Sequence, residues 1–237
     1  MYRTVRKAPV TLPPAVNLCQ TCSKVEDQEQ LGSCTGNALV GALEFLEMKD
    51  GMPFIDLSRL FVYYNERVLE GTIESDSGAN IRDGIKTLVN QGVCSENCWP
   101  YDPDYKTRFT MKPSDSCYHE ALNHQITEYA RIQGLDEMRA CLADGYPFVF
   151  GFTVYESFES EEVAKTGIVQ MPQPSEQVMG GHAVVAVGYD DSQKRFIVRN
   201  SWGEGWGMKG YFTIPYDYLT NDNLADDFWT IRRGEGF

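Results

Sequence analysis

Four residues of this chain are of types that could share one reaction: Gln28, Cys34, His182 and Asn200. A thiol is a weak nucleophile and a thiolate a strong one. A cysteine in the first turn of a helix has its anion favoured by unsatisfied N–H groups and by the helix dipole. Cys34 has that setting: Gly32 and Ser33 precede it and a helical repeat of apolar residues follows. On position alone a buried structural cysteine is an equally good reading, so the companions decide. Gln28, six residues upstream, carries an amide that could join the Cys34 backbone N–H as a two-donor oxyanion hole. Read by itself it is better taken as a surface glutamine in a polar loop. His182 follows Gly180 and Gly181 at the start of an apolar strand, where small residues let the backbone approach closely and leave the ring facing outward. Asn200, in RNSWGEGWGMKGY, can accept from one imidazole nitrogen and leave the other directed at a sulfur. Trp202 could cover that bond and keep water off it. Such a set performs acyl transfer through a thioester. The other two histidines, His119 and His124, lie in a polar segment without comparable framing and are expected in solvent.

The elements that must hold these residues follow from periodicity. Ala38, Leu39, Ala42, Leu43, Phe45 and Leu46 recur at helical spacing to about Lys49, with Ser33 as N-cap and Gly51 as stop. A second helix is expected from Ser58 to about Leu69 and a third from about Asn80 to Gln91, closed by Gly92. A short one fits Leu135 to Ala143. Residues 99–117 read as loop. The second half is strand-like: 148–152, 183–187, 196–198, 211–214 and 228–231 are short aromatic or β-branched runs bounded by Gly, Pro and Asp. Helices first and strands later argue α+β with two lobes, not alternating βαβ units.

Composition narrows the class. The chain has 237 residues, enough for a sizeable core, and 42% are hydrophobic, which excludes a disordered chain. Lys and Arg total 21 against 34 Asp and Glu, a net charge of −13 that repels phosphate backbones and argues against nucleic acid. No stretch approaches the roughly 20 apolar residues of a membrane span. The first ten residues are basic without an apolar run behind them, so no signal peptide is expected as written. The compartment stays open: cytoplasmic, or exported with a leader removed or by a leaderless route. The seven cysteines include two close pairs, Cys19/Cys22 and Cys94/Cys98. A four-thiolate zinc site from these is loose in spacing; local disulfides or buried thiols fit better, and no metal or cofactor is expected.

Together these residues resemble the papain-like cysteine peptidases. The resemblance runs from LPPAVNL (12–18) through DQEQLGSC (27–34) and Ser77-Gly78-Ala79 to the His182 strand and NSWGEGWG at Asn200. It implies a two-lobed α+β fold, with a helical lobe carrying the nucleophile, a β-rich lobe carrying the histidine, and a cleft between them. It implies Cys34 as nucleophile, His182 as general base and then acid, Asn200 as the group orienting His182, and Gln28 as oxyanion donor. It also implies substrate contacts by Gly78, Ala79, Ile81, Gly151, Gly180, Gly181 and Trp202. Thr35 stands where the family commonly has Trp, Leu31 where it has a half-cystine, Glu29 where it has Gly, and Gly181 where it has Asp or Asn. The familiar three-disulfide framework is therefore not reproduced, and the sequence looks closer to the divergent microbial branch.

The expected organisation is an arm at 1–11 and a peptidase domain at 12–237, its helical lobe at about 24–125 and its β-rich lobe at about 126–237. The expected function is a cysteine endopeptidase acting as a monomer on polypeptides, with a proteinaceous inhibitor or propeptide as a further partner. The same triad would serve transpeptidation, deamidation or transglutamination, because a thioester only awaits an acceptor. A binding module that kept the fold is the remaining alternative.

Overall fold

The computed structural model describes residues 11–101 and 107–233. All but the last residue of the expected arm lies outside them. The described chain groups into two units, one of residues 27–129 with 231–233 and the other of residues 11–26 with 130–230.

The first unit is helical. Its central helix α1 (Cys34–Lys49) buries every residue from Thr35 to Glu47, as an Ala- and Leu-rich helix without a polar face must. A Cβ on Gly36 would come within 2.7 Å of the Arg59 carbonyl oxygen, so glycine lets the start of α2 (Arg59–Glu70) pack directly on the first turn of α1. Ser58 caps α2 by accepting from the Phe61 N–H at 3.1 Å. The helix α3 (Ile81–Asn90) turns Ile81, Ile85 and Leu88 inward. The expected loop at 99–117 is corrected at its end, where α4 (Asp115–Ala121) begins. Seven residues are too few to show a helical period, and only Cys117 and Ala121 are buried to anchor it.

One buried polar network in this unit overturns an expectation. His124 is 6% exposed, not solvated, and its Nδ1 lies 2.8 Å from Oε1 of the buried Glu47. Arg233 also reaches Glu47 and donates to the Asn123 carbonyl at 2.9 Å. A carboxylate in the core needs such partners, and the residues supplying them are 77 and 186 positions away.

The second unit is built on antiparallel strands. In chain order the remaining strands and α-helices are β1 (Ala15–Asn17), β2 (Glu128–Arg131), α5 (Gly134–Ala143), β3 (Phe148–Tyr155), α6 (Glu161–Thr166), β4 (Val178–Asp190), β5 (Arg195–Arg199), β6 (Tyr211–Pro215), α7 (Tyr216–Leu219) and β7 (Ala225–Arg232). The sheet order is β2-β7-β3-β4-β5-β6, with β1 also paired to β4. Phe148, Phe150 and Phe152 alternate along β3 toward Phe196, Phe212 and Phe228, with neighbouring ring centroids 5.6–6.2 Å apart. These rings make the core and hold the register, because a one-residue slip would turn them to the other face. The strand carrying His182 starts five residues earlier than its apolar run, so His182 lies inside β4 and not at its start. The observed architecture is α+β, as expected. Among the described residues no helix is long and apolar enough to cross a membrane.

Candidate active site

The nucleophile turn belongs to the helical unit. Cys34 is the first residue of α1 and is half-buried. Ser33 precedes the helix, but its hydroxyl makes no cap bond, contrary to expectation. It is engaged elsewhere: it lies 2.8 Å from the Tyr101 hydroxyl and accepts from Asn37 Nδ2 at 3.0 Å. Tyr101 also donates to the Gln28 carbonyl at 2.7 Å, and burial pushes its phenol up to about 12. The Arg59 guanidinium lies 4.1 Å over the Tyr101 ring and donates to the Asp27 carbonyl and to Asn37 Oδ1. Gln28 is 7% exposed, not a surface residue, and its Nε2 donates to the Leu31 carbonyl at 2.9 Å. That bond sets the direction of the amide.

Two of the unusual residues in this turn have visible consequences. Glu29 adopts φ 52°, in the left-handed region that glycine enters without cost. Thr35 donates to Glu66 Oε2 at 2.7 Å, and both side chains are buried. Burial raises Glu66 well above the usual carboxyl range, against the pull of the Thr35 hydrogen bond.

The segment before Cys34 is also tied to the glycine loop at 76–78. The Gly32 N–H donates to both oxygens of Asp76 at 3.0 and 3.1 Å. Tyr63 donates to the same carboxylate and accepts from the Gly78 N–H at 3.2 Å. Gly78 has φ 70°, Ala79 is half-buried and Ile81 is buried in α3.

The histidine belongs to the β-rich unit. His182 stands on β4 opposite Phe152 of β3 and is 7% exposed. Its Nε2 lies 2.8 Å from Asn200 Oδ1, which also accepts from the Ser201 N–H at 2.8 Å. An amide oxygen only accepts, so Nε2 carries the hydrogen and Nδ1 is the basic nitrogen. The Trp202 ring stacks on the imidazole, centroids 5.1 Å apart and planes 27° from parallel, while Phe152 and Phe158 meet it from other sides. Burial in this aromatic box lowers the His182 pKa to about 4, against the pull of the Asn200 bond.

Asn200 follows directly on β5, and its N–H donates to the Gly210 carbonyl at 2.9 Å. The preceding Arg199 donates to the carbonyls of Ser23 and Lys24 at 2.5 and 2.6 Å. A Cβ on Gly210 would lie 2.6 Å from Val25 Cγ1, so this part of the glycine-rich run closes over the 23–25 segment only with glycine. Gly151 pairs with Ala183, and Gly180 and Gly181 lie exposed on β4 with open space where side chains would be.

The structure thus joins His182, Asn200 and Trp202 within one unit, and Gln28, Cys34 and Gly78 within the other. Asp76, Tyr63, Arg59, Tyr101 and Glu66 shape the nucleophile turn and escape sequence reasoning. They lie 13 to 73 residues from their partners and belong to no local pattern. Among the described residues the one group of three or more close ligating side chains is Cys94, Cys98 and Cys117, with sulfurs within 4.8 Å of one another. Cys19 and Cys22 lie beside Arg199 and Tyr211, and burial raises both thiols, Cys19 to about 12.

Residues 12–227 match the family described as papain family cysteine protease. The chain is 48% identical over 231 residues to an uncharacterized peptidase C1-like protein of Acanthamoeba polyphaga mimivirus, covering 92% of this chain and 72% of that one. It is 27% identical over 212 residues to Cysteine proteinase 3 of Dictyostelium discoideum, covering 85% of this chain and 58% of that protein. Its fold is similar to that of xylellain, a cysteine protease from Xylella fastidiosa, with a TM-score of 0.89 at 46% identity, over 95% of this chain and 88% of that one.

Proposed function

This chain belongs to the papain family of cysteine proteases, and on that premise we propose that it is an endopeptidase working through a Cys34 thioester. Cys34 Sγ attacks the scissile carbonyl carbon, and the oxyanion takes hydrogen bonds from the Cys34 backbone N–H and Gln28 Nε2. His182 Nδ1 takes the thiol proton and returns it to the leaving amine. Water, activated by the same nitrogen, then cleaves the thioester and restores the thiol.

The observation that carries this reading is the 2.8 Å bond from His182 Nε2 to Asn200 Oδ1 beneath Trp202. It leaves the basic nitrogen on the far edge of a ring oriented by that bond and by the stacked indole. A histidine lowered to about 4 is neutral at pH 7, as a general base must be, and becomes imidazolium only where a thiolate balances it. The position of Cys34 at the start of α1 supports its role as that thiolate. Gly78, Ala79 and Ile81 of the helical unit, and Gly151, Gly180, Gly181 and Trp202 of the β-rich unit, are the proposed substrate contacts. Small residues there suit a bulky apolar side chain two positions before the cut. The substrate is a polypeptide, and a proteinaceous inhibitor or propeptide would take the same groups.

The test is intact mass after incubation with an epoxysuccinyl thiol-protease inhibitor, together with turnover of a peptide mixture, on wild type and Cys34→Ala. A single adduct and internal cleavages are expected, both lost in the variant. Products with a new amine in place of the hydroxyl of water would make the enzyme an acyl transferase. No adduct under reducing conditions would defeat the proposal.

A further inference from the structure

The segment that carries Tyr101 to the nucleophile turn has a pair of thiols at its base. Cys98 precedes the segment and Cys117 closes it from α4. Their sulfurs are 2.6 Å apart, closer than two non-bonded sulfurs rest and near the roughly 2.05 Å of a disulfide. Cys117 is buried and its Sγ lies 3.2 Å from Ser114 Oγ, while Cys98 is partly exposed and open to reagents in solution. Cys94 is a third, buried thiol in the same cluster.

We propose that Cys98 and Cys117 form a disulfide by exchange with a low-molecular-weight disulfide, closing the segment that presents Tyr101. In the first step the Cys98 thiolate attacks one sulfur of the reagent, here oxidised glutathione, and expels a glutathione thiolate. In the second the Cys117 thiolate attacks the mixed disulfide at the Cys98 sulfur and expels the other. Two protein thiols become one disulfide, one glutathione disulfide becomes two glutathione thiols, and the two protons end on the glutathione. Cys94 remains a thiol.

The same cluster invites a zinc reading, and its charge and spacing argue against that. Cys98 lies near the Glu120 carboxylate, whose Oε1 accepts from the Ser95 N–H at 2.8 Å. Three thiolates on a divalent ion beside this carboxylate would leave two net negative charges in a largely buried spot. A disulfide is neutral. Sulfurs sharing a tetrahedral zinc at roughly 2.3 Å would also stand about 3.8 Å apart, wider than this pair. Burial, then Cys117 and Glu120, push the Cys98 thiol up to about 12. The reduced form therefore gains nothing from ionisation, which suits a bond that forms slowly and resists reduction.

The inference is independent of the peptidase reading, and its test does not use activity. The full chain is incubated with oxidised glutathione, alkylated, cut after Glu96 to separate Cys94 from Cys98, and mapped by mass spectrometry. A Cys98–Cys117 cross-link with Cys94 alkylated is expected, with a rise in Tm of about 5–10 °C from the closed loop. Cys98→Ser, at the partly exposed position, should fold and show neither change. A cross-link through Cys94, full alkylation of all three thiols, or one equivalent of zinc retained against a chelator would each overturn the proposal.

Discussion

Cys34 sits on a turn shaped by side chains from distant parts of the chain: Tyr101 on Ser33 and the Gln28 carbonyl, Asp76 on Gly32, Glu66 on Thr35. His182 sits on a regular strand, opposite a partner set by an antiparallel register and an aromatic core, and Asn200 directly follows another strand of that sheet. The turn has irregular backbone, including a glutamate at φ 52°, and each of its buried polar groups calls for its own partner. The strands satisfy their backbone among themselves, so one side-chain bond and one stacked ring suffice to aim the imidazole. A scaffold made of ladder bonds gives way at single side-chain contacts, whereas a turn made of scattered polar bonds spreads the loss over many.

That contrast can be broken by substitution. The largest effect is expected at Asn200→Ala, which removes the side-chain bond holding the tautomer of His182. A drop in kcat/KM of about 10- to 100-fold is expected, with KM little changed and the circular dichroism spectrum unaltered. A loss no greater than that of a typical turn residue would erase the difference between the two regions.

The pH profile is the next largest. The folded pKa of His182 is lowered from its ordinary value to about 4, so the neutral base is present above that pH and lost below it. The acid limb of kcat/KM should therefore fall near pH 4, about tenfold per unit below it. Stability carries the same sign: the neutral ring favours the fold above the ordinary histidine pKa, and that contribution fades as pH falls toward 4. An acid limb near 6.5 would mean that the ring is not desolvated in the working enzyme.

On the turn, Tyr101→Phe keeps the ring under Arg59 and deletes the hydroxyl that binds Gln28 and Ser33. One net hydrogen bond is worth about 1 kcal/mol, so a loss of about fivefold in kcat/KM is expected, with other polar contacts still holding the turn. Peptide turnover and Tm measured together would show whether the loss is local. The smallest effect is expected at Glu29→Gly, which relieves a positive φ and should raise stability by no more than about 1 kcal/mol in urea unfolding. A destabilised variant would show that Glu29 makes contacts that outweigh its strain.

The two regions also differ in how far they could be read from residues. NSWGEGWG and GGHAVVAVGYD are contiguous, and the turn formed by the first and the strand formed by the second place the functional side chains within their own local pattern. The α1 helix was equally legible from its apolar repeat. The Ser33 cap was read from a local preference, and it failed because Tyr101, 68 residues on, takes the hydroxyl. His124 was read as solvated from the polarity of its neighbours, and it is buried because Glu47 lies inside α1 and needs a donor. The expected loop at 99–117 runs into the first turn of α4, because seven residues carry too little periodicity to be seen.

What the sequence by itself determined is the set of reactive types, their order along the chain, and the periodicities of the elements that bear them. Those depend on neighbours within a few residues, through helix dipole, strand alternation and glycine spacing. The tertiary structure alone decided which nitrogen of His182 is basic and how far its pKa is lowered. It also decided what orients Gln28, which carboxyl lies under Thr35 and which thiols meet. Each of these is set by desolvation and by a partner tens of residues away, and both appear only when the chain has folded.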